Sequence, residues 1–249
     1  MNIIPIYIII LLFGLITTVY TTDIDVNSLS ELKNALQSQN NDITINVKNE
    51  IIINDSDFLT VGDTITKITI KGISTTDSKI IFSTKNSGIF FGRNINDVEI
   101  MDISFESEGS VLYFDNNLNV NIYNVHITGF TEVNMDSISK NIFTITDVIF
   151  NTPKSPINYL LKASFSNLII DNSKFYGSES LLISCLYVTN RENSEVYVSN
   201  EYDKLAYGEI DINNSLFSGG YTSRGIIVYF VSNINIKNSE IKDCYNNVR

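Results

Sequence analysis

The sequence predicts an all-β protein, a parallel β-helix with a short N-terminal capping helix, and three observations carry that expectation. An eight-residue pattern recurs: apolar, any, Ile, any, Asn or Asp, Ile/Val/Ser, any, Phe or Ile. Its copies are Val98-Glu-Ile-Met-Asp102-Ile-Ser-Phe105, Val120-Asn-Ile-Tyr-Asn124-Val-His-Ile127, Phe143-Thr-Ile-Thr-Asp147-Val-Ile-Phe150, Leu168-Ile-Ile-Asp-Asn172-Ser-Lys-Phe175, Ile210-Asp-Ile-Asn-Asn214-Ser-Leu-Phe217 and Ile234-Asn-Ile-Lys-Asn238-Ser-Glu-Ile241, with a degraded copy at Ile68-Thr-Ile-Lys-Gly72-Ile-Ser. The starts at Val98, Val120, Phe143 and Leu168, and again at Ile210 and Ile234, are evenly spaced, so a coil takes roughly 22–25 residues. The longer intervals, from Ile68 to Val98 and from Leu168 to Ile210, read as insertions.

The residue types inside each copy say what it forms. Alternating apolar residues, mostly β-branched, describe a short strand with one buried face. The fifth position is always Asn, Asp or Gly, the residues that tolerate a left-handed backbone, so the chain turns there. The sixth and eighth positions then point inward on a second strand. So short a period leaves no room for a helix in each repeat, and stacking like strand on like strand at about 4.8 Å closes the edges. The fifth positions Asp102, Asn124, Asp147, Asn172, Asn214 and Asn238 are expected to form a ladder of side-chain amides between coils.

Taken in chain order, Ile3 to Ile16 is almost continuously apolar and is followed by Thr17, Thr18, Thr21 and Thr22 ahead of the first charge, Asp23. Length and flank are those of a secretory signal, so residues 1–22 are expected to be a signal peptide cleaved near Thr21 or Thr22. No cation precedes the run and Tyr20 is bulky for a cleavage site. The alternative is an uncleaved anchor, because the stretch from Ile3 to Tyr20 is just long enough to cross a bilayer. No later stretch is long enough, and the mature chain is expected to have no membrane span. Residues 23–42 form an N-terminal capping segment: Ser28-Leu29-Ser30-Glu31 is a capping box, and Leu29, Leu32 and Leu36 line one face of a helix reaching about Gln37. The β-helix proper is expected over 43–249, its first coil at Ile43 to Ile53. At the other end the chain stops at Arg249 with no capping segment, which suggests a fragment of a longer repeat protein, or an end that associates with a partner or with itself. The long interval between Leu168 and Ile210 contains the polar runs 190–195 and 200–204. It reads either as a projecting loop, an insertion over 176–209, or as a drifted coil using Val196 and Val198.

Composition narrows the function. The 249 residues carry 17 Lys and Arg against 28 Asp and Glu, a formal charge of −11, with no basic run. A nucleic-acid partner, which needs clustered cations, is not expected. One His and two Cys rule out a His-rich or Cys-His metal site, and no cofactor is expected. Asn54-Asp55-Ser56 and Asn213-Asn214-Ser215 are acceptor sequons, making Asn54 and Asn213 glycosylation candidates.

The copies resemble those of right-handed parallel β-helix proteins, the pectin lyase-like superfamily, over roughly Ile43 to Asn247. Ser218-Gly-Gly-Tyr221 ahead of Gly225-Ile-Ile-Val-Tyr-Phe230 is similar to the repeats of extracellular adhesin-type β-helices. The resemblance implies a right-handed coil and an extracellular setting. Lyases of the superfamily hold calcium with carboxylates and use an Arg as base, but only Arg93, Arg191, Arg224 and Arg249 are present, without an Arg-x-Pro-x-x-Arg motif. The four hydrolase motifs, Asn-Thr-Asp, Asp-Asp, Gly-His-Gly and Arg-Ile-Lys, do not occur. A pair of carboxyls in the manner of an inverting hydrolase has its nearest candidates in Asp171 and Asp211. His126, at a variable outward position, reads as a surface side chain. Cys185 and Cys244 sit at different offsets in their copies, which argues against a mutual disulfide. Asp23-Ile-Asp25 and Asp55-Ser-Asp57 read as solvated turns. Two functions follow as expectations. The first is a secreted or cell-surface, non-catalytic module serving as an adhesin, a scaffold or a carbohydrate-contacting protein, with polysaccharide or other surface proteins as partners. The second is a divergent polysaccharide lyase or glycoside hydrolase.

Overall fold

The computed structural model describes residues 21–134, 141–155, 157–164, 167–178, 184–189, 209–221, 223–229 and 233–244. It is a parallel β-solenoid of about seven turns. Three faces are built from parallel pairings. The first stacks Thr22–Val26, Asp42–Val47, Lys67–Gly72, the opening residues of the long strands Asp97–Asp115 and Asn119–Asn134, then Ile142–Thr146, Asn167–Asp171, Glu209–Asn213 and Asn233–Lys237. The second runs from Glu50–Ile53 and Lys79–Phe82 through the middles of the long strands to Ile149–Asn151, Lys174–Tyr176, Leu216–Ser218 and Glu240–Lys242. The third begins at Leu59–Thr60 and Ile89–Phe91, takes the ends of the long strands, and continues with Tyr159–Ser164, Ser184–Thr189 and Arg224–Tyr229.

Inward side chains repeat in register. Ile24, Ile45, Ile70, Ile100, Ile122, Ile145, Ile170, Ile212 and Ile236 form one column down the first face. Inside the stack these isoleucines are buried, whereas Ile234 and Ile236 in the last described strand of this face are 41% and 36% exposed, because they lack a coil below them among the described residues. The eighth positions of three copies place Phe150, Phe175 and Phe217 face to face, with centroids 4.6 and 4.7 Å apart. That spacing is the rise between strands, so each ring packs on the next without a gap.

Helix α1 (Leu29–Leu36) buries Leu32, Ala35 and Leu36 against the first coils. Ser28 Oγ accepts from Glu31 N at 3.3 Å, and the Glu31 carboxylate accepts from Asn27 N at 2.6 Å, one residue upstream of the usual capping-box donor. The stack starts before this helix. Thr22–Val26 pairs with Ile43–Val47, so Asp23-Ile-Asp25 is a strand with alternating outward carboxylates and not a solvated turn, and Asp25 lies 3.1 Å from Lys48. Charged outward residues on either side of Ile24 hid its inward periodicity.

At the fifth position Asp102, Asn124, Asp147, Asn172, Asn214 and Asn238 all have φ between 46° and 56°. Asn124 donates its side-chain amide to Asp102 Oδ1 at 2.7 Å, and Asn172 donates to Asp147 Oδ1. The ladder then shifts sideways, since Asn214 donates to Asp171 and not to Asn172, at 2.9 Å. Gly72 does not share the left-handed φ. Its small size serves close approach: a Cβ there would overlap the Asp102 carbonyl oxygen and lie 2.7 Å from Ser78 Cβ.

Asn167–Asp171 pairs directly with Glu209–Asn213, and Ser184–Thr189 holds its place on the third face. The long interval from Leu168 to Ile210 is therefore one coil with extra chain after Thr189, and no additional coil is intercalated in the stack. The runs 190–195 and 200–204, with Val196 and Val198, lie outside the described residues.

Candidate functional site

Asp171 and Asp211 fall on neighbouring strands of the first face, with Asp171 beside Asn213 and Asp211 beside Ile169. They are diagonal outward neighbours. Each already holds an amide of the next coil: Asp171 Oδ1 accepts from Asn214 and Asp211 Oδ1 accepts from Asn235, both at 2.9 Å. Their geometry ties coils together. His126 sits half-buried between Ser104 and Ile149. Asn54 is exposed directly after the strand Glu50–Ile53 and accepts from Ser83 Oγ at 2.8 Å, while Asn213 is half-buried at a strand end and Ser215 of its sequon is buried. Cys244 Sγ lies 3.2 Å from the Lys242 carbonyl oxygen, and the Cys185 side chain is outside the described residues. Among the described residues no three His, Cys, Asp or Glu side chains converge as metal ligands, and no helix is long and apolar enough to cross a membrane.

The third face carries a different feature. Outward positions Phe90 and Tyr113 are register partners on adjacent coils, and their rings stack 5.2 Å apart at 27°. Phe58, from the turn before Leu59–Thr60, packs edgewise on Tyr113 at 6.3 Å. These three rings, with Arg93, Asp115 and Asn134, line a groove of about 410 Å³. Arg93 Nη2 lies 3.4 Å from Asp115 Oδ2, the guanidinium largely exposed and the carboxylate largely covered. Asn116 Nδ2 holds the other Asp115 oxygen at 3.2 Å. The groove thus combines apolar ring surface with a donor, an acceptor and an amide, a set suited to a ligand with both apolar and hydroxyl surface.

Below it the same outward row continues through Glu132 and Lys162, register partners joined at 2.7 Å. Burial pushes the Lys162 ammonium down, and the hydrogen bond and charge of Glu132 outweigh that, so it titrates above the ordinary lysine value. Tyr113 is also pushed up, first by burial and then by the negative charge of Glu132, while a hydrogen bond with Asn134 pulls the other way. Beyond Lys162, Tyr159 meets Phe130 edge to face at 5.4 Å, beside a smaller pocket of about 230 Å³ that also reaches Lys85 and Glu108. A second-face groove of about 440 Å³ lies around Glu106, Thr128 and Lys154, and its Glu106 is held by Lys79 at 2.8 Å.

The sequence reading placed none of the six groove residues in a site and named only Arg93, as one of four arginines outside any lyase motif. Phe90 lies 22 residues after the copy start at Ile68 and Tyr113 only 15 after the one at Val98, so no shared offset from the start of a copy marks them. It also passed over Asn117 and Asn141, fully buried at another corner. There Asn117 donates to the Gly92 and Ile95 carbonyls at 3.0 and 2.7 Å, and Asn141 donates to Asn117 O at 2.7 Å. A recurring Asn shortly ahead of successive copies was the available signal. Comparisons with protein-family models, curated proteins and solved structures find no match to the chain.

Proposed function

We propose that this chain is a non-catalytic module of the pectin lyase-like β-helix type, exported to the cell surface, which contacts carbohydrate through the groove at Phe58, Phe90 and Tyr113. The observation that carries the reading is the stacked pair Phe90 and Tyr113 beside the Arg93–Asp115 pair. Sugars present C–H faces to aromatic rings and hydroxyls to planar polar side chains, and both surfaces meet in this groove. The apolar run Ile3 to Ile16 supports export. The engagement of Asp171 and Asp211 by asparagines of the next coil supports a scaffold role for the two carboxylates that came nearest to an acid–base pair.

The test is to express the full chain in a secreting host, purify the exported product, and pass it over immobilised plant and microbial polysaccharides, with analysis for reducing or unsaturated ends. Retention without products is the expected result, and Tyr113→Ala should weaken it by about tenfold while leaving the circular dichroism unchanged. Product formation that disappears in Asp171→Asn or Asp211→Asn would make the protein an enzyme and overturn the reading.

A further inference from the structure

Resting on the carbohydrate reading of the third-face groove, we infer that its ligand is a neutral, hydroxyl-rich glycan and not a polyuronate or a sulfated chain. The charges at the site balance. Arg93 faces Asp115 at 3.4 Å, and Lys162, further along the outward row of Phe90 and Tyr113, is bound to Glu132 at 2.7 Å. Neither cation stands in surplus over its carboxylate. A polyanion gains affinity by neutralising clustered cations, and a cation already paired gives up as much as it gains.

Hydrogen-bond direction points the same way. A sugar hydroxyl both donates and accepts, whereas an ionised carboxylate or sulfate only accepts. Arg93 offers donors, Asp115 offers acceptors, and Asn134 offers both, all on the wall of one groove. A uronate or sulfate group brought to this wall would set an acceptor-only anion against the Asp115 carboxylate. Tyr113 feels the same charges: burial raises its titration most, the negative charges of Glu132 and Asp115 raise it further, and the hydrogen bond with Asn134 and the charge of Lys162 pull the other way. At longer range the formal charge of −11 repels acidic polymers before contact is made.

The full chain, purified as the exported product, is titrated with soluble neutral glucan, mannan and galactan and with polygalacturonate, alginate and dextran sulfate of matched length, in about 20 and about 200 mM salt. At least one neutral glycan is expected to bind roughly tenfold more tightly than any of the three polyanions, with little change across the two salt conditions. Glu132→Gln removes one anion from the row and releases Lys162 without altering the groove lining, so it should raise polyuronate affinity several-fold at low salt while neutral binding holds. Preferential, salt-sensitive capture of a polyanion by the unaltered chain would overturn the inference and leave the carbohydrate reading standing, as would an unchanged polyuronate affinity in Glu132→Gln. Capture of none of the six polymers would remove the carbohydrate reading, and this inference with it.

Discussion

The backbone N–H of Ser173 donates to the hydroxyl of Ser215 at 3.1 Å, although the two lie on successive coils separated by the longest interval in the chain. It is one rung of a serine ladder. Ser173 Oγ accepts from Val148 N at 3.1 Å and donates to the Asp171 carbonyl at 2.8 Å, and Ser239 Oγ accepts from Ser215 N at 3.0 Å. Each hydroxyl satisfies a turn N–H from the coil above and a carbonyl of its own coil, which is how a corner with no strand ladder keeps its backbone groups paired.

Ser215→Ala should therefore cost about 1–3 kcal/mol, because a buried N–H at Ser173 is left without its acceptor. Denaturant titration measures the loss, and hydrogen exchange should accelerate at Ser173 before it does in the Ile43 to Ile127 coils. An unchanged exchange rate at Ser173 would refute the ladder's role.

Gly72→Ala tests the close approach of two coils. The added Cβ would run into the Asp102 carbonyl oxygen, and backbone cannot move aside as a side chain can. A loss of about 1–3 kcal/mol is expected. Gly62→Ala, whose nearest contact is 3.3 Å, should be tolerated far better, and thermal melts of the two variants should separate clearly.

Alkaline pH should weaken the fold around Tyr113. Its phenol holds its proton above the ordinary value of about 10, so the unfolded chain loses that proton first as pH rises. The stabilising contribution is complete below that value and disappears as pH climbs through the raised one. Lys79, raised by its hydrogen bond with Glu106, acts in the same direction above about 10.5. Ultraviolet titration should find a late-ionising tyrosine that vanishes in Tyr113→Phe, and the same variant should flatten the alkaline decline in melting temperature.

Asp171→Asn and Asp211→Asn should lower stability modestly, by about 1 kcal/mol each for the lost charge-assisted bonds, and leave glycan retention intact. Loss of retention without loss of stability would return these carboxylates to the functional site.

Much of this fold was legible because a solenoid repeats its nearest-neighbour contacts. The isoleucine column recurs at one position of each copy, and the residues at Asp102 through Asn238 that tolerate positive φ are those that adopt it. Thr22–Val26 was missed because a single inward Ile24 between the outward carboxylates Asp23 and Asp25 does not match the repeated pattern of the other copies. Gly72 was misread because sequence shows a missing side chain but not whether the backbone angle or the adjacent carbonyl requires it.

The sequence by itself determined the coil period, the inward columns and the turn corners, since those depend on residues a fixed number of positions apart. Only the tertiary structure decided that Phe58, Phe90, Arg93, Tyr113, Asp115 and Asn134 meet in one groove. Turns of unequal length carry outward side chains into register at unequal sequence offsets, and solvent-facing positions, free of the packing that makes the core periodic, leave no pattern until the coils are stacked.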